Sequence, residues 1–108
     1  MPSVEFFISH RSKEITDWIP IYEEVKELGY NIHTEPVECD ISIVLNGKFV
    51  NPLPLRGKKI LFYHTSDWQL HKWKAMFKPI LEEYYDDLID IEGQEIKDVI
   101  EEIHQTNS

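Results

Sequence analysis

His10, Arg11, Asn46, His64 and Asp67 are the side chains of this 108-residue chain whose types and positions could do chemistry. Each lies in a polar segment that follows a short apolar run. Val4–Ile8 precedes Ser9-His10-Arg11-Ser12, Asp40–Leu45 precedes Asn46-Gly47, and Ile60–Tyr63 precedes His64-Thr65-Ser66-Asp67. Imidazole changes charge near neutrality, so a histidine here could act as base or proton donor while Asp67 orients it. Imidazoles beside a carboxylate also bind metals, but neither spacing is a ligand signature, and no metal site is assigned. Arg11 could contact a phosphate or a carboxylate. A plainer reading stands beside these: Ser66 or Asp67 caps a helix, with Gln69 completing a capping box, and the histidines satisfy nearby backbone groups. Ser9 and Ser12 lack the strained Gly-x-Ser-x-Gly setting of an activated nucleophile. The first turn also lacks the glycines that let a backbone approach a phosphate closely. The residues therefore mark a place for a ligand without naming a catalytic group or a cofactor.

The elements that must position them follow from hydropathy. Runs too short for helices and apolar without alternation read as parallel strands covered on both faces. Val4–Ile8, Ile41–Leu45 and Ile60–Tyr63 are the central ones, with Tyr30–Thr34 and Leu88–Ile91 as two more. Trp18, Ile21, Tyr22, Val25 and Leu28 recur at helical spacing, and Gly29 sits where a left-handed C′ residue belongs. That helix starts between Ser12 and Thr16, and Pro20 is tolerated only near its first turn. Leu70, Trp73, Phe77, Leu81 and Tyr84 mark a second helix that Pro79 kinks or splits. Ile96, Val99, Ile100 and Ile103 form one face of a third, and residues 105–108 read as a polar tail. The order β-α-β-β-β-α-β-α, over one domain at 1–104, predicts a three-layer α/β sandwich with a mostly parallel sheet of about five strands. The proline-rich stretch from Asn46 to Gly57 leaves room for one antiparallel pair. In such sheets ligands bind outside the carboxyl ends of the strands, which is where the five candidate residues fall.

Composition narrows the function classes. A hydrophobic content of 42% with three Trp argues for a folded core. The net charge of −9 opposes direct binding to nucleic acid, which needs a basic footprint. Cys39 is the single cysteine, so no internal disulfide forms and a reducing, cytoplasmic setting is expected. The first residues have no basic-then-apolar leader, and no apolar run approaches the roughly 18 residues that span a bilayer, so no membrane association is expected. Ten acidic residues and only Lys97 occupy the stretch from Glu82 to Glu102. A carboxylate face of this kind is usually solvated, and it could also imitate phosphates. Trp73 and Phe77 beside Lys72, Lys74 and Lys78 read as core at helical spacing rather than as a stacking surface.

Two family resemblances follow from these segments. Val4–Ile8, then Glu24-Val25-Lys26-Glu27-Leu28-Gly29-Tyr30-Asn31-Ile32, Asp40-Ile41-Ser42-Ile43-Val44-Leu45-Asn46 and Lys59-Ile60-Leu61-Phe62-Tyr63-His64 resemble, in order, the amino-terminal Rossmann-like half of a GT-B glycosyltransferase. The resemblance spans about Val4 to Asp67. It implies a domain that binds a nucleotide, sugar or similar polar ligand, and the strand-end positions already described put that ligand at His10, Arg11, Asn46, His64 and Asp67. It implies no catalysis by this chain alone, because a GT-B active site lies between two domains. Phe7-Ile8-Ser9-His10 with Ser12, followed by a helix and Gly29-Tyr30, resembles the opening of a TIR domain over about 35 residues. The Trp-Cys-x-x-Glu context of TIR enzymes has no counterpart between Asn46 and Leu55, so NAD hydrolysis by that route is not implied. A different class stays open: a non-enzymatic interaction or inhibitor protein, viral or defence-related, acting on a protein partner through its acidic face.

Overall fold

A computed structural model describes residues 3–8, 18–45, 54–64, 79 and 81–107. Five strands form one sheet: β1 (Val4–Phe7), β2 (Ile32–His33), β3 (Ile41–Leu45), β4 (Lys58–Tyr63) and β5 (Asp87–Asp90). Their spatial order is β2-β1-β3-β4-β5, and every neighbouring pair is parallel. The antiparallel pair allowed for between Asn46 and Gly57 is thus ruled out for β3 and β4, which pair in parallel from Ile41↔Lys58 to Leu45↔Phe62. The three central strands are those with the predominantly apolar runs, broken only by Glu5 in β1 and Ser42 in β3. Ile41, Ser42, Ile43, Val44 and Leu45 are all buried, which only a strand covered on both faces achieves.

The helices cover both faces. On one, Val4, Phe6, Ile43, Ile60 and Phe62 pack against Ile21, Tyr22 and Val25 of α1 (Ile19–Glu27) and against Val99, Ile100 and Ile103 of α3 (Ile96–Asn107). On the other, Phe7, Val44 and Leu61 meet Leu55, Leu81 and Tyr85, of which Leu81 opens the helical residues 81–84 (α2) and Tyr85 follows them. The chain is a three-layer α/β sandwich. Its order, with β1 between β2 and β3, is the flavodoxin-like doubly wound order rather than the 3-2-1-4-5-6 order of dinucleotide-binding folds.

Local chemistry sets the element ends. Pro20 occupies the first turn of α1, where its missing N–H removes no intrahelical bond. At the other end Gly29 adopts φ +95°, its N–H donates to the Lys26 carbonyl, and the Tyr30 N–H reaches back to Val25. This is a Schellman closure, and it turns Tyr30 inward so that its ring meets Phe6 edge-on at 5.1 Å. Because Tyr30 serves the helix end, the second strand is shorter than the Tyr30–Thr34 run suggested. The fifth begins one residue earlier, at Asp87. Gln105 and Thr106, expected in a polar tail, belong to α3, and Asn107 ends it by accepting a hydrogen bond from Lys58 Nζ at 3.1 Å. Within the second expected helix, Pro79 and residues 81–84 are helical, while Leu70, Trp73 and Phe77 lie outside the described residues.

The amino ends of the strands are stitched by the chain's own polar groups. Ser3 N–H donates to Asp40 Oδ2 at 2.8 Å, and Asp40 N–H returns a bond to Ser3 Oγ at 2.9 Å. Lys59 N–H donates to Asp86 Oδ2 at 2.8 Å, and the buried Ser42 hydroxyl donates to the Arg56 carbonyl at 2.6 Å. Gly57 at φ +67° lets this edge close, since a Cβ there would collide with the Asp40 carbonyl. The amino edge is committed to structure.

Candidate functional site

All five strands run the same way, so Ile8, Leu45 and His64 stand together at the carboxyl edge of the sheet. β1 is the point at which the order reverses. The chain leaves it through α1 to β2 on one side and later returns to β3 on the other. Crossovers that diverge in this way leave a crevice outside the strand ends.

His64 directly follows β4 and is half-buried. Its ring meets that of Trp18 edge-to-face, with centroids 5.0 Å apart and planes at 70°. Trp18 is buried and in turn stacks on Tyr22 at 6.4 Å. In a parallel β-α-β unit the helix runs back along the sheet, which brings the start of α1 to the carboxyl edge. Trp18, immediately before Ile19, is therefore delivered to His64 by topology. An imidazole braced on one side by an indole and partly open to solvent is oriented to donate to or accept from a polar ligand, or to stack beside one.

Of the residues expected at the site, His64 is the one the structure describes. His10, Arg11, Asn46 and Asp67 lie outside the described residues. Trp18 was read from sequence as part of the apolar stripe of α1, not as a neighbour of His64. The available signal was its position at the amino end of that stripe.

A second polar constellation lies on the opposite face. Glu5, which only interrupted an apolar run in the sequence, accepts a hydrogen bond at 2.9 Å from His33 Nε2, and both side chains are about a quarter to a third exposed. The His33 ring also lies 5.5 Å from that of Phe7. This pair ties the two-residue β2 to β1. Cys39 Sγ sits 3.2 Å from Ser42 Oγ and is half-buried. Among the described residues no three His, Cys, Asp or Glu side chains gather as they would around a metal ion. No described helix is long and apolar enough to cross a membrane.

Comparison with known proteins gave no match to a family model, to a curated protein or to a solved structure.

Proposed function

We propose that this chain is a Rossmann-like binding domain that takes a nucleotide, a sugar or a similar polar ligand at the carboxyl edge of its sheet, without catalysing a reaction on its own. The observation that carries this reading is the reversal of strand order at β1 combined with His64 braced by Trp18 at the same edge. The amino edge supports it by contrast, since its polar groups are engaged with one another. Asn46 is bonded directly to Leu45, the last residue of β3, and His10 and Arg11 follow closely on Ile8. The ligand class follows from the donors and acceptors these residues carry: imidazole, guanidinium and carboxamide groups recognise phosphate and hydroxyl oxygens. The relation to the amino-terminal half of a GT-B glycosyltransferase is part of this proposal, resting on the motifs quoted above.

Calorimetric titration with UDP-glucose, UMP and glucose tests the reading. Saturable binding of one of them, weakened by His64→Ala and by His10→Ala but unchanged by Ser3→Ala at the opposite edge, is the expected result. Binding that is indifferent to His64→Ala and His10→Ala would refute this placement of the site.

A further inference from the structure

The free edge of β5 carries a groove that the ligand reading leaves unused. It has a volume of about 350 Å³ and runs between β5 and the second half of α3. Ile89, Val99 and Ile103 give it an apolar floor, and Asp87, Glu102 and Thr106 stand along it. That volume falls within the range of roughly 300–1,000 Å³ typical of sites that hold small ligands. β5 is the last strand in the order, so among the described residues one side of it has no strand partner.

The hydrogen-bond phase shows which backbone groups point outward. Ile91 N–H donates to the Tyr63 carbonyl, and the register pairs Tyr63 with Asp90 and Leu61 with Leu88. In a parallel ladder alternate residues turn their backbone groups toward the same neighbour, so Asp87 and Ile89 face β4 as Ile91 does. Leu88 therefore turns its N–H and C=O away from β4, at the open edge. Such an edge is a template for an added strand.

Charge selects the occupant. Asp87 and Glu102 are both exposed, and Glu95 just before α3 with Asp98 and Glu101 on it are also exposed. Of the described cations nearby, Lys58 is engaged by Asn107 and Lys97 stands exposed on α3 among the carboxylates. A second copy of this chain would bring a further net charge of −9 to the same edge, which disfavours self-association there.

We propose that the β5 edge and the groove beside α3 dock an extended segment of a partner protein that carries lysine or arginine. The segment pairs its backbone with Leu88, drops an apolar side chain onto Ile89, Val99 and Ile103, and sets its cations against Asp87 and Glu102. This surface is separate from the His64 edge and does not depend on the ligand reading.

The test uses the whole chain and a fluorescein-labelled peptide of alternating lysine and valine, measured by fluorescence anisotropy at low and at moderate salt. Three comparisons accompany it: an alternating glutamate–valine peptide, the lysine–valine peptide N-methylated at alternate residues, and the Asp87→Lys/Glu102→Lys double variant. The expected result is saturable binding of the first peptide alone, weakened about tenfold or more by the double variant, because attraction becomes repulsion. N-methylation should abolish it, and the Leu88 amide should become protected from hydrogen exchange in the complex. Equal binding of the N-methylated peptide would overturn the proposal, because attraction without strand pairing is nonspecific. Undiminished binding to the double variant, or no binding at low salt, would overturn it as well. A dimer of this chain whose interface protects the Leu88 amide would do the same.

Discussion

Trp18 and His64 meet edge-to-face at 5.0 Å although 46 positions separate them in the sequence. The contact joins the residue before α1 to the residue after β4, and it lies at the carboxyl edge of the sheet. Trp18 is part of the core and His64 is half-open, so the two should respond differently to truncation. Trp18→Ala removes a buried indole and is expected to cost about 3–5 kcal/mol. His64→Ala loses one aromatic contact and is expected to cost about 0.5–1.5 kcal/mol. Urea unfolding of both variants checks this. Comparable losses would place His64 in the core rather than at a site.

Gly57 and Gly29 separate backbone strain from collision. Both have positive φ, but a Cβ at Gly29 meets nothing, whereas at Gly57 it strikes the Asp40 carbonyl. Gly29→Ala should cost about 1–2 kcal/mol from the left-handed conformation alone. Gly57→Ala should cost more, about 3 kcal/mol or above, because the joint between β3 and β4 must move as well. Denaturant midpoints of the two variants decide it, and equal losses would contradict the close approach at Asp40.

Tyr85 supplies a pH dependence. Its hydroxyl is buried with no hydrogen-bond partner among the described residues, and burial raises its pKa well above the usual tyrosine value. A raised folded pKa means that the folded state holds this proton more tightly than the unfolded chain does. The resulting stability is fully present below the unfolded tyrosine pKa, about 10, and is lost as pH rises from there toward the folded pKa. Tyr85→Phe should reduce the alkaline loss. It should also raise stability at neutral pH by about 1 kcal/mol, since an unsatisfied buried hydroxyl is removed. Thermal unfolding between pH 7 and 11 measures both effects. A destabilised Phe variant would mean that the hydroxyl has a partner.

Sequence patterning made the central strands legible because Ile41–Leu45 and Ile60–Tyr63 are apolar on both faces, which few other elements require. Gly29 was legible because a left-handed helix end favours glycine. The shortness of β2 was not, because Tyr30 is apolar enough to extend a strand and yet is used to close a helix. Contacts between elements far apart in the sequence were also invisible. Glu24 Oε1 accepts the Ile96 N–H at 3.3 Å and so caps α3 from α1, 72 positions away. Glu5 finds His33 in the same nonlocal way. At the site, His64 could be placed at a strand end from hydropathy, but its partner Trp18 depended on the path of the crossover, which no local pattern encodes.

The chain alone is expected to turn over no nucleotide sugar. Its described edge is a single open face, and group transfer requires reacting groups held in place and shielded from water. Release of UDP from UDP-glucose, with and without glucose as acceptor, is the assay. Turnover lost in His64→Ala would show that the edge is catalytic after all.

Binding of a polar ligand at the carboxyl edge of the sheet is the proposal on which the function rests. Nuclear magnetic resonance titration of the isotope-labelled chain with UDP-glucose, UMP and glucose addresses it most directly, because each backbone amide reports separately. Shifts are expected at Ile8, Leu45, His64 and the Trp18 indole, with Ser3, Asp40 and Asp86 at the amino edge unmoved. Shifts confined to the amino edge, or none at millimolar concentrations of any of the three, would contradict it.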